Sequence, residues 1–149
     1  MDEKATITVI KVQEMDDVLT ALFRSVETIA VIGLSPDPSK ASFGVAQYLQ
    51  SHYRIIPINP NYAEVLGETC YPDLSAVPIS IDLIDVFQRS ERIAHLVPEA
   101  IAAGPICFWM QLGIAHSESA SLLSQAGITV IENRCTKIDH QRLIGLGRL

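Results

Sequence analysis

The stretch "TIAVIGLSPDPSKASFGVAQYLQ", residues 28–50, decides the reading of this chain. Its first residues form a short apolar β run that ends at Gly33. A polar loop follows, with Pro36, Pro38, Lys40 and the hydroxyls of Ser35, Ser39 and Ser42. From about Ser42 to Ser51 the pattern turns helical, with Val45, Tyr48 and Leu49 on one face. Strand, glycine turn and helix in that order make a β–α unit, and glycine lets the chain turn sharply because it carries no Cβ. The Gly-x-Gly-x-x-Gly spacing of a dinucleotide site is absent.

The alternation continues on both sides. Residues 13–26 read as a helix, with Val18, Leu19, Leu22, Phe23 and Val26 in one stripe. "RIIPI" (54–58) is a second strand in which Pro57 removes a ladder donor, so an irregular strand end is expected. Residues 59–78 form a long connection with a short helix around Ala63–Leu66, stopped by Gly67. "SIDLIDVF" (80–87) is a third strand. "SERIAHLVPEAIAAG" (90–104) is helical, and Pro98 predicts a kink or a fresh helix start. "PICFWM" (105–110) is a fourth strand, with Trp109 in the core. "SESASLLSQAG" (117–127) is a helix and "ITVIE" (128–132) a fifth strand. In the tail, 133–149, apolar Leu143, Ile144, Leu146 and Leu149 lie near Arg142 and Arg148. It packs on the sheet edge, packs on another subunit, or frays.

Short apolar strands alternating with helices imply an α/β domain with a parallel sheet covered on both faces. The length, 149 residues, fits one domain over 1–149. The net charge of −6 disfavours nucleic acid and anionic membrane surfaces, which need clustered Lys and Arg. "MDEKATITVI" does not read as a secretory signal, and no run is apolar enough to span a bilayer. Cys70, Cys107 and Cys135 are odd in number and not in CxxC spacing, so reduced thiols in the cytoplasm are expected. His52, His95, His116 and His140 form no metal pattern. Asp82 and Asp85 are read as turn or cap residues rather than a catalytic pair.

Ligands of such sheets bind beyond the carboxyl ends of the strands. That rule selects the loop after Gly33, then "NPNY", "FQRSE" and "MQLGI". In the first loop, Ser42 is expected to cap the next helix, leaving backbone N–H groups that favour an anion. Lys40 adds a point charge suited to phosphate. The alternative is a plain surface connection with a solvated lysine. In the second, "INPN" stands where dinucleotide sites carry an acid for the ribose. Asn59 and Pro60 either line a ligand or form an Asx turn. Phe87 and Arg89 suit an adenine face and a phosphate, or a core residue and a solvated helix start. Gly113, in the fourth, allows close backbone approach or is an ordinary turn glycine.

Together, "VIGLSPDPSKASFGVAQYL", "IIPINPNYAEVLGETCYPDL", "IDLIDVFQRSE", "WMQLGI" and "AGITVIENRC" resemble the CoA-binding domain family. Its members are small stand-alone Rossmann-like proteins, similar to the nucleotide-binding domain of the succinyl-CoA synthetase alpha subunit. The resemblance implies a three-layer sandwich with strand order 3-2-1-4-5. It also implies a coenzyme A or acyl-CoA ligand whose ADP part crosses the strand ends. Gly33, Ser35, Ser39, Lys40, Ser42 and Phe43 would hold it at the first loop. Asn59 and Pro60 would line the second, Phe87 and Arg89 the third, and Met110, Gln111 and Leu112 the fourth. Relatives often carry basic residues where this chain has Gly44, Asn61 and Gln88. The expected partner is therefore the small-molecule CoA ligand, with no nucleic acid and no membrane. The tail leaves a homodimer or a protein partner open. No catalytic residue and no metal ligand is assigned. Two rival functions use the same residues. One is an NAD(P)-linked oxidoreductase or redox-sensing domain, with Lys40 or Arg89 on a 2′-phosphate. The other is a ligand-free interaction domain whose site Phe43 or Phe87 closes.

Overall fold

The computed structural model describes residues 3–149, with side chains from Val12 onward; part of the opening stretch read for a signal lies outside them. In chain order the elements are α1 (Glu3–Ser25), β1 (Thr28–Ile32), α2 (Ala41–Gln50), β2 (Arg54–Ile58), β3 (Glu64–Val65), β4 (Glu68–Thr69), β5 (Leu83–Val86), α3 (Ile93–Ala103), β6 (Cys107–Met110), α4 (Ser117–Gln125), β7 (Thr129–Ile131) and α5 (Thr136–Gly145). A parallel five-stranded sheet has helices on both faces. Successive side chains of a strand point to opposite faces. Ile29 and Val31 of β1 accordingly join one core with α1, α2 and α5, while Ala30 and Ile32 join a second core with α3 and α4. Trp109 is fully buried in the first core, as expected.

The sheet order is β2-β1-β5-β6-β7, which is 2-1-3-4-5 along the parallel strands, not the expected 3-2-1-4-5. The third parallel strand pairs with β1 on the side away from β2. Pro57 supplies the physical reason. On the outer side of β2, Tyr71 donates its N–H to the Pro57 carbonyl at 3.0 Å and accepts from the Asn59 N–H at 2.9 Å. Pro57 has no N–H to offer a further strand there, and proline is confined to edge strands. The other edge of β1 has its full set of donors. There the Asp82 carboxylate fixes the start of β5, accepting from the Glu27 and Thr28 amides at 2.9 and 3.1 Å.

Three local expectations change. The segment around Ala63–Leu66 is not a helix but part of the β3–β4 hairpin. Leu66 and Gly67 both have positive φ, +55° and +75°, as a type I′ turn requires. Of the two readings of Pro98, a kink or a fresh helix start, the fresh start is excluded: α3 begins at Ile93, after a 3-10 turn at Ser90–Arg92, and runs through Pro98. Pro98 and Ala94 are both exposed, so the carbonyl that proline leaves without a donor faces water. The first helix begins at Glu3, well before residue 13. The tail forms α5, which docks on α1. Arg142 donates to both Asp16 carboxylate oxygens, at 2.9 and 2.7 Å, Arg148 pairs with Asp17, and Leu143 is fully buried.

Candidate functional site

In the order 2-1-3-4-5 the chain reverses direction across the sheet between β1 and β5, so the ligand crevice belongs beyond their carboxyl ends. Gly33 leaves β1 there with φ +82° and donates its N–H to the Ile58 carbonyl at 2.9 Å. Phe87 leaves β5 beside it and donates to the Ile32 carbonyl at 2.9 Å. A Cβ on Gly33 would lie 2.5 Å from the Phe87 carbonyl oxygen and 3.0 Å from Gln88 Nε2. The glycine therefore serves both the turn and the closeness of the two strand ends.

The first loop holds itself in place. The Ser42 hydroxyl accepts from the Ser35 N–H at 3.1 Å, so it does not cap α2. Lys40 takes the cap position instead, with no side-chain cap bond, and the first turn carries no acid. The positive end of α2 thus faces the loop without a side-chain acceptor, and the exposed Lys40 stands at it. Phe43, one residue on from Ser42, is half-buried. Asp37 accepts from the Ser39 amide and hydroxyl at 2.9 and 2.8 Å. Those hydrogen bonds and the Lys40 charge hold its carboxyl below the usual range. Ser35 Oγ accepts from the Asp37 N–H at 3.1 Å.

The second loop is an Asx turn. Asn59 Oδ1 accepts from the Asn61 N–H at 3.0 Å, and its Nδ2 donates to the Leu34 carbonyl at 3.1 Å. Asn59 thereby ties the second loop to the first. Pro60 lines a cleft of about 540 Å³ with Ile32, Ile58, Leu74, Arg92 and Leu96. Phe87 is half-buried and turned away, against the core under α1 and α2. Arg89 is exposed at the start of the 3-10 turn and does not line the cleft, whereas Arg92 does. Sequence reasoning missed Arg92, His95, Glu99 and Asp73 on the cleft wall, where Gln88 also stands. The signal was present around the start of α3: positions 92, in the 3-10 turn just before it, and 95, 96 and 99 within it follow the i, i+3, i+4, i+7 spacing of one helix face.

The fourth loop stands apart from this cleft. Met110 is fully buried, and Leu112 is exposed on a separate groove with Cys135 and Ile138. Gln111 is buried and donates to Asp85 Oδ1 at 2.5 Å and to Thr136 Oγ1 at 2.7 Å, while the Thr136 hydroxyl donates to Asp85 Oδ2 at 3.0 Å. Asp85 is no turn or cap residue but a fully buried carboxyl joining β5, the end of β6 and α5. Burial pushes it up to about 7 against the pull of the Gln111 and Thr136 hydrogen bonds. Among the described residues, no three His, Cys, Asp or Glu side chains group closely enough to hold a metal ion. No described helix is long and apolar enough to cross a membrane.

A family model described as a CoA binding domain matches residues 27–141. The chain is 36% identical over 113 residues to the uncharacterized protein YneT of Bacillus subtilis, covering 75% of this chain and 84% of YneT. It is 33% identical over 76 residues to the acetate–CoA ligase (ADP-forming) I of Archaeoglobus fulgidus, covering 50% of this chain but only 10% of the ligase. The structure of cell-free ID.343 from Thermus thermophilus superposes with a TM-score of 0.83 at 36% identity, covering 86% of this chain and 98% of that one.

Proposed function

The chain belongs to the CoA-binding domain family, and on that premise we propose that it binds coenzyme A or an acyl-CoA through the ligand's ADP portion, as a non-catalytic carrier, sensor or regulatory module of the cytoplasm. One observation carries the reading. The uncapped start of α2, with Lys40 beside it, faces the same strand ends as the cleft behind Pro60. A helix N-terminus with its free amides and a lysine suits the diphosphate. The cleft, walled by Ile32, Ile58, Pro60 and Leu96, suits an apolar-faced adenosine. Asn59, in place of an acidic residue, leaves the ribose without the carboxylate partner of a nicotinamide dinucleotide site.

The non-catalytic part of the reading rests on the reactive groups. Burial raises the Cys70 thiol, and raises Cys107 further with the nearby Asp85 charge, which makes both poor nucleophiles. The ligase resemblance covers a tenth of that enzyme and carries no activity across. The test is calorimetric titration of the purified protein with CoA, acetyl-CoA, NAD and NADP. Heat with the CoA species and none with the dinucleotides is expected. Tighter NADP than CoA binding would move the assignment to a redox domain, and no heat with any CoA species at millimolar concentration would remove it.

A further inference from the structure

We infer that this site selects a nucleotide without a 3′-phosphate, so that dephospho-CoA is bound at least as well as CoA; the inference rests on the function proposed above. Coenzyme A carries two anionic groups, a 5′-diphosphate and a 3′-phosphate on the same ribose. The first loop provides for one of them, with Lys40 at the uncapped start of α2. With the diphosphate at Lys40, the 3′-phosphate, a ribose away, would reach the rim where the loop meets the cleft. That rim carries no basic residue on the β2 side, and on the β5 side the first one past Phe87 is Arg89, exposed and off the cleft wall. The turn after β2 reads Asn59, Pro60, Asn61 and Tyr62, all uncharged, and Gln88 follows Phe87 on the opposite side.

The cleft itself holds two carboxylates, Asp73 and Glu99, against one permanent cation, Arg92, and the imidazole of His95. Asp73 is held in place, accepting from the Ser75 hydroxyl at 2.6 Å and the Ala76 amide at 3.0 Å. Arg92, just before α3, lines the same cleft wall as His95 and Glu99, so a phosphate drawn to Arg92 also comes near the Glu99 carboxylate. A phosphate brought into such a cleft loses water and meets like charge, which disfavours it. A ribose hydroxyl in its place accepts and donates hydrogen bonds at no such cost.

The experiment titrates the protein with CoA and dephospho-CoA side by side. Dephospho-CoA is expected to bind equally, within threefold, or more tightly. Asn61→Lys, on an exposed turn whose hydrogen bond to Asn59 uses the backbone N–H, should tighten CoA about tenfold and leave dephospho-CoA unchanged. Glu99→Gln should shift the ratio in the same direction. CoA binding more than threefold tighter than dephospho-CoA in the native protein overturns the inference and leaves the proposed function intact. Absence of binding by both removes the proposed function and the inference with it.

Discussion

The space between Gly33 and Phe87 admits no side chain: a Cβ on Gly33 would sit 2.5 Å from the Phe87 carbonyl oxygen. With φ at +82°, any L residue there is also strained. Gly33→Ala is predicted to destabilise the domain by about 2 kcal/mol, within the usual range for forced backbone strain. Chemical denaturation measures this. A loss below ~0.5 kcal/mol would mean that the two strand ends separate freely.

Lys40→Ala should weaken CoA binding by about ten- to a hundredfold, the range of a lost charge-assisted hydrogen bond. Lys40 is exposed and makes no side-chain cap bond, so the melting temperature should not move. Calorimetry with a parallel thermal melt separates the two effects. An unchanged affinity places the diphosphate elsewhere.

Gly44 occupies the first turn of α2, and a Cβ there would meet no atom within 4 Å. Gly44→Ala should therefore stabilise the protein by about 0.5–1 kcal/mol through chain entropy. Gly44→Arg adds a cation beside the anion site and should raise CoA affinity about tenfold. A destabilised Gly44→Ala would show that the helix needs the glycine.

Two buried groups give opposite pH dependence. Asp85 titrates near about 7 in the native state and near ~3.9 unfolded. Between those values the folded protein holds a proton that the unfolded chain has lost, so stability falls as pH rises through the window. His140 donates to or accepts from the Tyr48 hydroxyl at 2.7 Å and packs against the His52 ring at 4.6 Å between centroids. Burial, with the His52 charge, pushes it down to about 4, against ~6.5 unfolded. Between those values the unfolded chain binds the proton that the native state refuses, so stability falls as pH falls. Over the shared window the two effects oppose each other. Asp85→Asn removes one of them, and its denaturation midpoint should climb steadily from about pH 4 to about 6.5. A midpoint that still falls with pH would contradict the assignment to Asp85.

Much of this was legible in the sequence. The apolar runs ending at Gly33, Asn59, Phe87 and Gln111 placed the strands of the main sheet, because period and punctuation both act locally. The strand order 3-2-1-4-5 came from the resemblance and not from the residues, although Pro57 carried the clue: a missing donor makes β2 an edge and sends the next strand to the far side of β1. The Leu66–Gly67 turn was mistaken for a helix end because positive φ at a leucine is invisible in composition. At the site, the loops were found but not the direction of their side chains. Phe87 faces the core, Gln111 joins a buried carboxyl, and the cleft wall comes from one face of α3. The first two depend on which elements pack together across the sheet, contacts distant in sequence, whereas the helical spacing around α3 marks a face without saying what it lines.

The central claim is that the strand-end loops bind CoA through Lys40 and the start of α2. Calorimetric titration of native protein and Lys40→Ala with CoA tests it most directly. The account predicts saturable binding by the native protein and at least tenfold weaker binding by the variant at equal melting temperature. Equal affinities for the two, or no binding by the native protein, would contradict it.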